Sequence, residues 1–179
     1  MQSLNPILEK LARAQAGLLQ EADAIGVDEW KRSPGNGAWS AAEVVAHLIM
    51  VERSILEKAD RISQKQPRPI PFFKRFHMPM AMVEARVVRR KSPIPLDPGL
   101  VQAKEAMLAE LRNVRERSLA FLDETKNRDL SVYCWPHPFL GMLNLYEWFQ
   151  MIASHEIRHT KQMREITATL PKAVEGLQK

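Results

Sequence analysis

The chain has 179 residues, 45% hydrophobic and 26% charged, with seven glycines and a net charge of +5, which predicts one globular, helix-rich domain over residues 1–179. Its single cysteine, Cys134, excludes an internal disulfide. No run of about 18 apolar residues is present to span a membrane, and the charged N-terminal segment is unlike a secretory signal peptide. We therefore expect a soluble, cytoplasmic protein.

The first two predicted elements are amphipathic helices. Residues 4–25 carry apolar side chains at helical spacing, and a turn with proline and two glycines follows at residues 34–37. Ser40 and Glu43 then form a capping-box pattern, which predicts that the second helix begins directly after Ser40. That helix should end near residue 66, because prolines follow at positions 67, 69 and 71.

A long connection separates the second and third predicted helices. Residues 67–98 hold seven of the twelve prolines, and residues 80–90 have the pattern of a short helix. A basic cluster lies in this segment, made up of Arg86, Arg89, Arg90 and Lys91. The cluster is interpreted as a solvated helix face rather than a nucleic-acid patch, because no aromatic residues or nucleic-acid motif accompany it.

Two further helices are predicted over residues 99–125 and 144–170, with a loop between them that contains Trp135, Pro136, His137 and Pro138. Their inward stripes are Met107, Leu111, Val114, Ser118 and Leu122 in the third helix and Trp148, Ile152, His155, His159, Met163 and Ile166 in the fourth. Four such helices predict an all-α four-helix bundle with a long proline-rich connection between the second and third helices.

The last helix carries the string His-Glu-Ile-Arg-His at residues 155–159. Histidines four residues apart share one helix face, so both imidazoles can reach one metal ion. The string also fits the H-E-x-x-H pattern of zinc metalloproteases, with Glu156 as the general base. That interpretation is disfavoured, since no third downstream ligand of the expected kind follows His159. The role of Glu156 stays open.

His47 is the best candidate for a third ligand. It lies beside the inward stripe of the second helix, about two turns after Ser40, whereas His77 and His137 have no helical support. The set His47, His155 and His159 has the composition of an open catalytic metal site. The alternative is that these are hydrogen-bonded core histidines without a metal.

Three short stretches together resemble the DinB-like superfamily of metal-dependent enzymes. They are Trp39-Ser40-Ala41-Ala42-Glu43 leading to His47-Leu48 and Glu52, His137-Pro138-Phe139-Leu140-Gly141 leading to Glu147-Trp148, and His155-Glu156-Ile157-Arg158-His159 followed by Gln162. The resemblance covers nearly the whole chain. It implies a four-helix bundle, metal ligands at His47, His155 and His159, and often a homodimer.

Relatives in that superfamily include S-transferases and isomerases that use low-molecular-weight thiols. The first hypothesis is therefore a metal-dependent enzyme, and the resemblance favours a thiol transferase over a hydrolase. Such an enzyme would bind a divalent Zn, Ni, Fe or Mn ion and a small-molecule substrate such as a low-molecular-weight thiol. Neither a membrane nor a nucleic acid is expected as a partner. Its catalytic side chains are not identified, and Trp135, Phe139, Tyr146 and Trp148 are candidate pocket walls. The second hypothesis is a non-catalytic stress-response or interaction bundle with a vestigial site.

Overall fold

The computed structural model describes residues 3–67, 80–84 and 96–170. Four long helices form the bundle: α1 (Asn5–Asp23), α2 (Ala41–Ser63), α4 (Lys104–Glu124) and α5 (Leu145–Thr169), and a short helix, α3 (Ala81–Glu84), precedes α4. The predicted four-helix bundle is confirmed. The helix ends differ from the predicted ones by a few residues, most at the start of α4, where Pro98–Leu100 forms a separate short 3₁₀ turn.

Both helices that carry the histidines of interest begin with a capping box. At α2 the Glu43 backbone N–H donates to Ser40 Oγ over 3.3 Å, and the Ser40 N–H donates to Glu43 Oε2 over 2.7 Å. At α5 the corresponding bonds between Asn144 and Glu147 measure 3.0 and 2.8 Å. Each box satisfies two backbone groups that the helix start would otherwise leave unpaired.

The α2 cap gives a direct test of this local structure. Ser40→Ala is expected to lower the free energy of unfolding by about 1 kcal/mol, because the Glu43 N–H loses its acceptor. Ser54→Ala, on the exposed face of the same helix, is the matched control and should change stability by less than about 0.5 kcal/mol. Urea denaturation of both variants measures the difference, and equal effects would contradict the role of the cap.

The predicted loop before α5 is in fact a β-hairpin, so that prediction was wrong. Strand β1 (Cys134–His137) pairs antiparallel with β2 (Gly141–Asn144), with His137 opposite Gly141. Strand β1 includes Pro136, which has no N–H to donate to a ladder. In a two-stranded ribbon each strand has a free edge, so this loss is tolerated. Gly141 has φ +94°, a conformation that glycine adopts without strain.

Helix α3 contacts α1 and α5 through ion-pair and hydrogen-bond contacts. Lys10 Nζ lies 2.6 Å from Glu84 Oε1, Ser154 Oγ donates to the same oxygen over 2.9 Å, and Lys161 Nζ donates to the Glu84 carbonyl over 2.8 Å. Of the short helix predicted at residues 80–90, only its first part falls in the described ranges. His77 and the basic cluster at residues 86–91 lie outside them.

None of the helices in the described ranges combines the length and apolarity needed to cross a bilayer.

A polar layer divides the bundle core into two apolar clusters. One cluster includes Leu11, Ile55, Leu122 and Ile152, and the other includes Leu18, Val45, Leu111 and Met163. Every long helix contributes to both clusters. The boundary between them in α2, α4 and α5 holds the buried side chains Glu52, Arg115, Glu156 and His159. The candidate site therefore lies at mid-bundle.

Candidate metal centre

The structure brings His47 of α2 together with His155 and His159 of α5. His155 Nε2 lies 3.3 Å from His47 Nε2 and 3.1 Å from His159 Nε2. His47 and His159 are 6% and 7% exposed, whereas His155 is only partly buried. Among the described residues, this is the one group of three or more His, Cys, Asp or Glu side chains placed to hold a metal ion. The structure thus places His47 and His159 in the buried interior, with His155 beside them.

Burial keeps the His47 and His155 rings uncharged at neutral pH. It lowers the pKa of His47 to about 4. Burial, and then the neighbouring His159 and His47 rings, lower the pKa of His155 well below its ordinary value. Neutral imidazole is the form that binds metal ions, because one ring nitrogen then keeps a free lone pair.

The three rings cannot satisfy all of their hydrogen-bonding nitrogens by bonding to one another. The Nε2 proton of one neutral imidazole cannot satisfy two neighbouring lone pairs with good geometry. In addition, His47 Nδ1 is buried without a hydrogen-bond partner in the described structure. The cost of burying these rings is therefore only partly offset by contacts within the protein.

A shared divalent ion fits this arrangement. Three nitrogens that bind one ion at about 2.0–2.1 Å with tetrahedral angles lie about 3.3–3.4 Å apart. The observed separations of 3.1 and 3.3 Å match that spacing. All three Nε2 lone pairs would then face one cation.

Gln162 fixes the orientation of one imidazole. The amide oxygen Oε1 of Gln162 lies 2.9 Å from His159 Nδ1, one helix turn away. An amide oxygen can only accept, so the proton of the neutral His159 ring is on Nδ1 and its Nε2 presents a lone pair to the cluster. Partners of this kind set the tautomer and raise the basicity of metal-binding histidines.

Gln162→Leu is therefore expected to weaken Zn²⁺ binding by about 10–100-fold, because Nδ1 of His159 loses its acceptor. Gln150→Leu makes the same substitution on the same helix and should leave the affinity unchanged. Competition titration with a chromogenic chelator measures both. An affinity of the Gln162 variant within twofold of wild type would show that this bond does not orient the ring.

Trp39 forms one wall of the cluster. Its ring centroid lies 5.0 Å from that of His47 and 6.4 Å from that of His159, with the latter rings stacked. Sequence reasoning did not assign Trp39 a role, although it lies one residue before the predicted α2 cap. An indole ring therefore packs against one side of the cluster.

The other predicted aromatic walls belong mostly to the core. Trp135 and Trp148 are buried and stacked with centroids 4.5 Å apart, Tyr146 is 2% exposed, and only Phe139 projects into solvent at 45% exposure. His137 packs on Trp148 with centroids 5.2 Å apart rather than joining the cluster.

Glu156 points away from the three histidines and into an ion pair. Its Oε2 accepts from Arg115 Nη2 over 2.9 Å, and the side chain is fully buried. Burial raises the pKa of Glu156 to about 7, against the opposing effect of Arg115. The position does not suit a general base beside a metal-bound water, so the H-E-x-x-H interpretation lacks structural support.

A separate groove lies elsewhere on α2. It has a volume of about 540 Å³ between α2 and α4, with Met50, Met107 and the Arg53–Glu110 ion pair among its lining residues, and none of the three histidines lines it. Any substrate of the histidine cluster would therefore approach from a different face.

The fold and the cluster define a class of protein, a four-helix bundle with three converging histidines at mid-height. The chain belongs to the DinB superfamily, whose family model matches residues 10–163. It is 26% identical over 155 residues to the uncharacterized protein YuaE of Bacillus subtilis (strain 168), covering 86% of this chain and 92% of that protein. A solved structure called TT2238, a four-helix bundle protein, matches with TM-score 0.57 and 21% identity over 91% of this chain and 99% of that one.

Proposed function

We propose that this protein is a metal-dependent enzyme that binds one divalent ion through His47, His155 and His159 and transfers a low-molecular-weight thiol to a small-molecule substrate. The observation that carries the proposal is the convergence of three Nε2 atoms, with neighbouring separations of 3.1 and 3.3 Å. Membership of the DinB superfamily is compatible with it. The choice of thiol chemistry follows the resemblance of the motifs to thiol-using relatives.

Three neutral imidazoles supply no charge of their own. These rings would leave a bound divalent ion its full +2 charge and open positions, where it would lower the pKa of a bound thiol or water. The protein's contribution is to hold the rings in place. Gln162 accepts from His159 Nδ1, and Trp39 packs against the His47 and His159 rings.

The proposed transfer is a substitution without redox change. The thiolate sulfur forms a bond to an electrophilic carbon of the substrate, and the leaving group departs with its bonding electron pair. The thiol proton passes to solvent. Within the part of the chain that the structure describes, the converging ligand set is His47, His155 and His159 without a carboxylate, which suits a thiolate as a further ligand.

The test compares two reactions of protein loaded with one equivalent of Zn²⁺, Ni²⁺ or Mn²⁺. One is thioether formation between cysteine or glutathione and 1-chloro-2,4-dinitrobenzene, and the other is hydrolysis of p-nitrophenyl acetate. Metal-dependent thioether formation that is lost in His159→Ala supports the proposal. Ester hydrolysis alone would indicate a hydrolase, and no metal-dependent rate in either assay would indicate a non-catalytic bundle; both results overturn it.

A further inference from the structure

We propose that Arg115 is a positioning residue that sets the separation of the two helices carrying the three histidines. This inference rests on the proposed metal binding. Arg115 lies on α4, which contributes none of the histidines, and its side chain is 2% exposed at the level of the polar layer. It makes no contact with the histidines themselves, so its effect on them must pass through other residues.

The histidine-bearing helices depend on other helices for most of their packing. α5 packs chiefly against α1, and α2 packs chiefly against α4, while the direct contact between α2 and α5 is lighter. His47 must nevertheless meet His155 and His159 to within a few tenths of an ångström for one ion to bind all three. Apolar burial is non-directional, so a directional contact between α2 and α5 adds a constraint that apolar burial does not provide.

Arg115 supplies that contact by bonding to all three other long helices. Its Nε and Nη2 donate to Glu52 Oε1 and Oε2 of α2 over 2.8 and 3.0 Å. Nη2 also donates to Glu156 Oε2 of α5 over 2.9 Å, and Nη1 donates to the Leu11 carbonyl of α1 over 2.7 Å. The guanidinium is planar and rigid, so the two carboxylates are held in fixed directions relative to each other.

The two carboxylates are close in sequence to the histidines. Glu52 follows His47 by five residues, about 7.5 Å along the axis of α2, and Glu156 lies between His155 and His159. A slide or rotation of α5 against α2 that separated the histidines would therefore also break charge-assisted bonds to Arg115. The buried ion pairs of Arg115 would thus position the histidine cluster that lies beside them.

The test must separate positioning from stability. The triple variant Glu52→Leu, Arg115→Met, Glu156→Leu removes every charge of the network, and such apolar replacements of buried ion pairs are often neutral or stabilising. Arg115→Lys keeps the positive charge but loses the planar guanidinium that bonds to both carboxylates. It is measured below its own melting temperature, so that the protein is folded. Arg53→Met is the matched control, since it removes a partly exposed ion pair between α2 and α4. Co²⁺ is the probe, read by affinity and by its ligand-field absorption.

We expect the triple variant to bind Co²⁺ on the order of tenfold more weakly than wild type, with altered ligand-field bands, while its thermal transition stays close to that of wild type. Arg115→Lys should change in the same direction, and Arg53→Met should match wild type. If the triple variant does not fold, the Co²⁺ affinity and absorption spectrum of Arg115→Lys test the inference instead. Wild-type affinity and spectrum in the folded Arg115 variants would overturn the inference, whereas no Co²⁺ binding by the wild type would instead overturn the proposed function.

Discussion

Arg115→Met alone is expected to lower the free energy of unfolding by about 3–5 kcal/mol, because it removes the counter-charge of the buried Glu52 carboxylate and leaves the buried Glu156 carboxyl without its hydrogen-bond donor. Glu52 and Glu156 are 3% and 1% exposed, so water cannot replace the lost bonds. For a chain of this size each kcal/mol corresponds to about 2–4 °C, so the melting temperature should fall by about 6–20 °C. Differential scanning calorimetry measures the shift.

Two controls make this expectation specific. Arg53→Met removes a partly exposed ion pair and should cost less than about 1 kcal/mol. Adding Glu52→Leu and Glu156→Leu to Arg115→Met should recover most of the lost stability, since no unpaired charge then remains in the core. A single Arg115 variant within 1 kcal/mol of wild type would show that the buried network contributes little.

His155→Ala is expected to abolish metal-dependent stabilisation. A ligand present at 100 times its dissociation constant stabilises the folded state by about 2.7 kcal/mol, which corresponds to roughly 5–10 °C in a chain of this size. The wild type should show such a rise in melting temperature with Zn²⁺. The variant should show none, because His155 Nε2 is the atom that adjoins both other rings.

His137→Ala is the matched control for that experiment. His137 is a histidine of the same chain that packs on Trp148 outside the cluster, and its Nδ1 accepts from the backbone N–H groups of Phe139 and Leu140. Its replacement can lower the basal melting temperature by loosening the hairpin, but the Zn²⁺-dependent rise should persist. A rise in the His155 variant equal to that of wild type would place the bound ion elsewhere.

The bundle was predictable from sequence because helical periodicity is a local signal. The stripe through Met107, Leu111 and Leu122 is buried as expected, and the Ser40 cap forms at the predicted residue. The β-hairpin was not predictable in the same way. Its strands have four residues each and include a proline, so neither alternation nor propensity distinguished them from a loop.

The three histidines could be proposed as one group because each lies on or beside the inward apolar stripe of its helix. Arg115 was missed because it lies one position from the stripe of its helix, where long charged side chains usually extend to solvent. Only the tertiary arrangement shows that Glu52 and Glu156 converge on it. Gln162 could have been recognised, because a residue three positions after His159 lies on the same helix face.

The most direct test of the central claim is a crystal structure of protein grown with Zn²⁺, with anomalous diffraction recorded on both sides of the zinc absorption edge. A single strong anomalous peak should lie about 2.0–2.1 Å from the Nε2 atoms of His47, His155 and His159. The peak should disappear in crystals of His155→Ala. An ordered histidine cluster with no anomalous peak, at a Zn²⁺ concentration that occupies other sites, would contradict the account.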